Sequence, residues 1–443
     1  MYVSLASFYL ETTPGPIDEG ISDFKICQNK SAASMHQPNA SKVAPSGWTE
    51  SNTIFRGSVL MRLHLSRRYY SFSRVPRSRE VVLLTGALGL PLATGLGVFC
   101  FTRSLHHHKM NSVKELEIKD PEFSGFRLLV CKPPYIENAE MKQYFLLPGE
   151  IARGAEEARL ALRDRLHPED VIVASYPKSG TTWLSELVYL LVTNLNWSAA
   201  AAHNLEERVP YLEYVWPGPI SVARRAVPRI IKTHLPFTFL PEEVQLGKAA
   251  RLIYIVRDPR DVAVSYYHFA RCFIPAGYRN KEGLQGFVER FLQDKLPYSP
   301  WTEHVKGYLM AAATRSAKVS PRVLIVRYEE LKCDPMKTVR KIEEFLHQTK
   351  NPNPTPPARK LTDSEVTQVV QHCSFESMSK NPSTNFSWLQ ELGLWTPYTK
   401  FMRRGQIGDH QTSMHPKQAE LIKRKALAEG LGWTLKEVVT SSS

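Results

Sequence analysis

Paired cysteines and metal-ligand spacings are both missing from this chain of 443 residues. Its six cysteines, Cys27, Cys100, Cys131, Cys272, Cys333 and Cys373, stand singly with no CxxC pair. That argues against a zinc site or a small disulfide scaffold and fits free thiols in a reducing compartment. His106, His107 and His108 are adjacent, and three neighbours in sequence do not converge easily on one ion. There is no internal repeat and no Walker pattern GxxxxGK[ST], which argues against a P-loop kinase. Acidic residues are outnumbered: 43 against 57 basic ones, a formal charge of +14. Such a balance favours anionic partners, whether nucleic acid, phospholipid or a polyanionic small ligand, and composition does not choose among them. Apolar residues make up 43%, enough for a sizeable core. The length suits one large α/β unit with an appendage.

The appendage is N-terminal. Residues 1–60 are rich in Ser, Pro, Asn and Gly without apolar periodicity, and disorder or dispensability is expected there. Residues 61–80 begin at Met61 and carry Arg62, Arg67, Arg68, Arg74, Arg77 and Arg79 with no acid before Glu80. An Arg- and Ser-rich, acid-poor stretch reads equally as a mitochondrial targeting segment or as the basic flank of a membrane span. Residues 81–102 hold 22 positions without a charge, long enough for a helix to cross a bilayer core of ~30 Å. Four glycines and Pro91 weaken this stretch as a soluble helix but are tolerated in membranes. The Arg excess before it would keep the N-terminus cytoplasmic, but Arg103, Lys109 and Lys114 make the second flank basic too, so the orientation is left open. Residues 103–119 read as a linker.

From Asp120 to about residue 440 the text alternates buried-strand runs with helical periodicity. Val171–Ser175, Ile230–Thr233, Leu252–Val256 and Val323–Val326 are β-branched and apolar on both faces. Thr182–Val192 and Met336–Leu346 show apolar residues at three- and four-residue spacing. The alternation predicts an α/β domain, a central parallel sheet flanked by helices. The Pro-rich run at 351–357 is read as a loop within it.

Three motifs carry chemistry. Tyr176-Pro177-Lys178-Ser179-Gly180-Thr181-Thr182-Trp183 sits between a strand and a helix. Such a loop offers backbone N–H groups, a helix N-terminus and a mobile cation to an anion; the hydroxyl residues also serve as ordinary helix caps. In Arg257-Asp258-Pro259-Arg260-Asp261-Val-Ala-Val-Ser265-Tyr266-Tyr267, Arg257 and Ser265 fall near a strand's C-terminal end, where open α/β sheets bind ligands. Pairing of Arg257 with Asp258 or Asp261 is the structural alternative. Phe401-Met402-Arg403-Arg404-Gly405-Gln-Ile-Gly408-Asp409 places an arginine pair between glycines, which alone would be a basic loop.

In this order and spacing, the three resemble the cytosolic sulfotransferase family. YPKSGTTW is similar to its 5′-phosphosulfate loop, RDPRDVAVSYYHF to its 3′-phosphate segment and FMRRGQIGD to its C-terminal nucleotide-closing loop. Further likeness runs through VPYLEY, IIKTHLP, RYEEL and VVQHCSFESMSKNPSTNF, about 300 residues in all. The resemblance implies a single P-loop-like domain, the cofactor PAPS (3′-phosphoadenosine 5′-phosphosulfate) released as PAP, and no metal. It would place Lys178, Ser179, Gly180, Thr181, Thr182 and Trp183 around the 5′-phosphosulfate, with Trp183 against adenine. Arg257, Ser265, Arg403, Arg404 and Gly405 would hold the 3′-phosphate. Tyr328, Ser374, Phe375, Met378, Phe401 and Met402 would complete the nucleotide site. His234 matches the general base, and Lys178 and Lys232 the cations that stabilise the leaving phosphate. Tyr211, Tyr214 and Phe269 match acceptor-pocket positions, so a phenol, steroid or other small alcohol or amine is the expected acceptor. Nucleic acid is not expected as a partner.

The match departs at three places. Cys373 stands where the family has Thr, removing a hydroxyl. His410 and Gln411 stand where Trp and Lys are usual. The dimer motif falls on Gln411, His415, Pro416 and Glu420, of which only the Glu matches, so the oligomeric state is left open. The resemblance implies a cytoplasmic protein, with membrane anchoring through 81–102, mitochondrial targeting from Met61, or a type II lumenal arrangement as alternatives. A catalytically silent, membrane-tethered PAP- or PAPS-binding protein is the other functional class; such a binder has no need of a base at His234.

Overall fold

The computed structural model describes residues 116–118, 120–134, 144–316, 321–348 and 359–435. The expected extension at 1–60, the basic segment at 61–80, the uncharged stretch at 81–102, nearly all of the linker and the Pro-rich run at 351–357 lie outside the described residues.

The described residues form two sheets. The smaller is antiparallel, β1 (Leu116–Ile118), β2 (Leu128–Cys131) and β3 (Phe145–Pro148), in the order β1-β2-β3. The larger is wholly parallel: β4 (Val171–Ala174), β5 (Ile230–Thr233), β6 (Arg251–Val256) and β7 (Val323–Arg327), in the order β5-β4-β6-β7. These four are the runs expected from the sequence, moved by one residue at some ends. The longer helices are α1 (Gly149–Ala161), α2 (Thr181–Val192), α3 (Pro259–Cys272), α4 (Gly283–Leu292), α5 (Trp301–Ala313), α6 (Pro335–His347), α7 (Asp363–His372) and α9 (Pro416–Ala428), with the short α8 (Phe375–Lys380) between the last two.

Strand alternation divides the core in two. Ile172, Ala174, Ile231, Leu252, Tyr254 and Val256 face one apolar cluster. Val171, Val173, Ile230, Ile253 and Ile255 face the other. Period-two side chains buried on both faces explain why these strands read as continuous β-branched runs. Val171, Ile172 and Val173 are wholly buried, each favouring the fold by about 1.5–3 kcal/mol relative to exposure. Leu184, Leu187, Val188 and Leu191 form the buried stripe of α2 and pack into the second cluster. Tyr176 and the buried face of α3 enter the first.

Parallel pairing puts all four strand ends on one edge. Register aligns Ala174 with both Thr233 and Tyr254, and Val256 with Arg327. The residues just beyond those ends are Ser175, His234, Arg257 and Tyr328. A parallel sheet therefore gathers four chemically loaded positions from distant parts of the chain.

Candidate active site

The turn after β4 is held in an uncommon backbone. Lys178 has φ of 70° and Gly180 a φ of 114°, both in the left-handed half of the map. A Cβ on Gly180 would lie 2.8 Å from the Tyr328 ring, so glycine is needed for close approach as well as for φ. Gly180 is also the N-cap of α2 and supplies no side-chain cap. The first N–H groups of α2 are thus left without an intrahelical acceptor. Thr181 instead joins its hydroxyl to that of Ser175 at 2.5 Å.

The Lys178 ammonium lies 4.4 Å from the centre of the Phe269 ring and 4.3 Å from that of Phe401. Among the described residues no carboxylate pairs with it. Burial and the Arg257 guanidinium, with a further push from Arg403, pull it down to about 7. Three cations thus crowd one place without an equal number of anions.

Arg257 stands at the end of β6. Its Nη2 donates to the Gln406 carbonyl at 2.7 Å, and its guanidinium carbon lies 4.3 Å from the Tyr328 ring centre. It approaches Asp261 at 3.6 Å, too far for a hydrogen bond, and its buried Nε has no hydrogen-bond partner. Asp258 instead caps α3, accepting from the Arg260 N–H at 2.9 Å. Ser265 lies further along α3 and is half-buried. In the C-terminal loop Arg403 and Arg404 both pair with Asp409, Arg404 at 2.6 Å with half of its side chain exposed.

A wall for a flat base stands beside these charges. Trp183 meets Tyr328 edge to face at 5.5 Å. Trp183 and Met402 pack on the cluster that contains Tyr328 and Met378. Gly405, with φ of 60°, lies so close to Phe375 that a Cβ there would fall 2.2 Å from the ring. Ser374 caps α8, accepting from the Ser377 N–H at 3.2 Å. Cys373 is a buried core residue whose thiol burial pushes well up. The structure therefore brings most of the expected nucleotide residues to one edge of the sheet. Charge, unpartnered donors and an aromatic wall there fit a nucleotide bearing several phosphates.

His234 lies past the end of β5 and is buried. Its Nδ1 is 2.9 Å from the Ser175 carbonyl oxygen. A carbonyl only accepts, so Nδ1 carries the proton and Nε2 keeps its lone pair. Nε2 faces the Tyr211 hydroxyl at 3.0 Å. Glu213 fixes the backbone here, accepting from the His234 N–H at 2.8 Å and the Thr233 hydroxyl at 2.9 Å. His304 donates from Nε2 to the His234 carbonyl at 2.9 Å. Burial, with His304, Lys178 and Lys232 nearby, pulls the His234 imidazole down to about 3. It is neutral at physiological pH. Burial also raises the Glu213 carboxyl to about 7.

Lys232 differs from Lys178 in having an anion. Its ammonium donates to Glu206 at 2.7 Å and lies 4.7 Å from the Tyr211 ring centre. Burial lowers the lysine and raises the glutamate, each restrained by the other. Tyr211 and Tyr214 stack at 4.0 Å, Phe386 and Phe401 lie 4.3 Å apart, and Phe401 meets Phe269 at 6.2 Å. Ser175, Glu206, Glu213 and His304 were given no role in the sequence reading, and Asp261 was named only as a structural partner of Arg257. Glu213 lies within VPYLEY and Asp261 within the Arg257 motif, so a local signal existed for both.

Comparison with known proteins agrees with this geometry. Residues 168–427 match the family model for the sulfotransferase domain. Sulfotransferase 1E1 of mouse is 36% identical over 246 residues, 55% of this chain and 77% of its own. Bovine sulfotransferase 1A1 is 34% identical over 260 residues, 58% and 81% of the two chains. Retinol dehydratase, solved with retinol and PAP, shares the fold at a TM-score of 0.58 and 23% identity, covering 71% of this chain and 96% of its own. The chain belongs to the sulfotransferase family. It is an enzyme that transfers a sulfuryl group from PAPS to a small acceptor, and the comparisons give no support to the silent, tethered alternative.

Proposed function

We propose that His234 removes the acceptor's proton and that Lys178 offsets the charge gained by the leaving phosphate. The observation that carries this reading is the tautomer. With Nδ1–H committed to the Ser175 carbonyl, Nε2 presents a lone pair to whatever displaces or joins the Tyr211 hydroxyl. A neutral imidazole in that state is competent as a base.

PAPS supplies the sulfuryl group when bound. The chain's own contribution is a set of preorganised charges. Among the described residues no carboxylate compensates Lys178, so it gains most as negative charge develops beside it. Lys232, already paired with Glu206, contributes less net charge and steadies the Tyr211 ring. Ser179 to Trp183 would line the 5′-phosphosulfate, while Arg257, Ser265, Arg403, Arg404 and Gly405 would line the 3′-phosphate. Tyr328, Ser374, Phe375, Met378, Phe401 and Met402 would enclose the nucleoside. Tyr211, Tyr214 and Phe269 would form aromatic walls suited to phenols, steroids or other flat alcohols. We take this unit to span roughly residues 120–440, and the likeness to cytosolic sulfotransferases supports a cytoplasmic location unless 81–102 anchors the chain to a membrane.

The test is a panel of phenols, steroids, alcohols and amines incubated with PAPS labelled in its sulfur. Transfer should be strongest to flat hydroxyl compounds. Absence of label from every flat hydroxyl compound, alongside transfer to amines, would refute the acceptor assignment.

A further inference from the structure

We propose that Asp261 and His410 form a positioning pair that holds the C-terminal loop against the 3′-phosphate side of the site and leaves Arg257 available to the phosphate. The proposal rests on the reading that Arg257 and Arg403 bind that group. Neither Asp261 nor His410 is among the residues assigned to nucleotide, base or acceptor.

Asp261 lies in the first turn of α3 with its carboxylate wholly buried. Oδ2 accepts from the Gly408 N–H at 2.8 Å. Oδ1 accepts from the His410 N–H at 3.0 Å and from His410 Nδ1 at 2.6 Å. A carboxylate only accepts, so Nδ1 carries the proton there. Burial alone would raise this carboxyl, but the His410 hydrogen bond and the Arg257 charge outweigh it and hold it below the usual carboxylate range. An ionised group so deeply buried needs donors on both oxygens.

His410 and Arg257 compete for that role. With three donors coming from the loop, Asp261 does not draw Arg257 into hydrogen-bond range; the guanidinium stays 3.6 Å away and reaches the Gln406 carbonyl instead. The loop is thereby tied to Arg257 at Gln406 and to α3 at Gly408 and His410. Directly before these points runs the segment bearing Arg403 and Arg404, each paired with Asp409 next to His410. Removing the imidazole donor would leave Asp261 short of a partner, which Arg257 is the nearest cation to supply. The arginine would turn from the ligand towards the carboxylate, and the loop would lose one tie. His410 stands where the resembling family has Trp, and here its imidazole ties the loop to the Asp261 carboxylate.

Calorimetry of the full chain with PAP and with adenosine 5′-monophosphate, which lacks the 3′-phosphate, tests the idea. His410→Leu and His410→Phe both lack the donor and differ in bulk, and His410→Asn keeps an N–H. The first two should bind PAP roughly ten- to a hundredfold more weakly, the size expected for a hydrogen bond to a charged group. Adenosine 5′-monophosphate should change less than about twofold on the same scale. His410→Asn should recover most of the loss, and unliganded melting temperatures should not track the affinities. Arg257→Ala tests the underlying reading and should lose PAP with the same selectivity. If Arg257→Ala loses PAP selectively while both donor-free variants bind it normally, the positioning role is wrong and the phosphate assignment stands. Equal losses for both nucleotides in the His410 variants would mean that His410 supports the fold in general, which also overturns the proposal. Equal losses in Arg257→Ala would remove the phosphate assignment and this inference with it.

Discussion

At the scale of single residues, the site is a contrast between two lysines. Both are desolvated, but Glu206 neutralises Lys232 while nothing among the described residues neutralises Lys178. A lysine held at about 7 without ligand gains its proton when an anion arrives, because nearby negative charge favours the charged form. Binding of PAP near pH 7.5 should therefore take up roughly three-quarters of a proton, and affinity should fall as pH rises above 7. Calorimetry in two buffers of different ionisation enthalpy reads the uptake directly. Lys178→Met should abolish most of it, and an unchanged uptake in that variant would assign the proton to another group. Such residues were legible because Lys178, Arg257 and Arg403 each sit inside a contiguous motif. His304 was not, and Glu213 and Asp261, though inside quoted segments, gave no sign of the groups they hold. Their partners lie far along the chain, as with His304 and His234, 70 residues apart, and no local pattern marks a residue whose role is to hold another.

At the scale of elements, the parallel sheet was readable and the antiparallel one was not. β4 to β7 are buried on both faces, so their sequence carries the requirement residue by residue. β1, β2 and β3 are as short as β4 and β5 but read LEI, LLVC and FLLP, with at most one β-branched residue each, so strand propensity does not set them apart from a loop. The loop that closes the nucleotide site has a different logic, close contact. Gly405→Ala places a methyl against Phe375 in a left-handed backbone, whereas Gly393, with φ of 68°, has nothing within 4 Å of the same position. Both substitutions carry the left-handed penalty, about 1–2 kcal/mol. Only Gly405→Ala adds overpacking of about 1–3 kcal/mol, and it should weaken PAP while Gly393→Ala leaves binding unchanged. Titration of the two variants with PAP decides this, and equal affinities would show that the Phe375 contact does not shape the site.

At the scale of the whole molecule, the sulfotransferase unit accounts for the three motifs and for part of the positive charge, while the 81–102 stretch carries no charge and none of those motifs. Its 22 residues meet the length of a bilayer core, ~30 Å, and we propose that it anchors the chain. No helix among the described residues is long and apolar enough to cross a membrane. After carbonate extraction of membranes the full chain should stay in the pellet, and a variant lacking 81–102 should move to the supernatant. Release of the full chain would refute the anchor.

The central claim remains the base. His234 is placed by Ser175, Glu213 and His304, none of which belongs to the proposed 3′-phosphate site, and its Nε2 faces the aromatic pocket. The decisive measurement pairs turnover with PAP binding in His234→Ala, using an acceptor that the wild type sulfates. This account predicts loss of transfer by at least the 10²-fold typical of a general base, with PAP affinity kept within about threefold, under 1 kcal/mol. Turnover near the wild-type rate in that variant would contradict it.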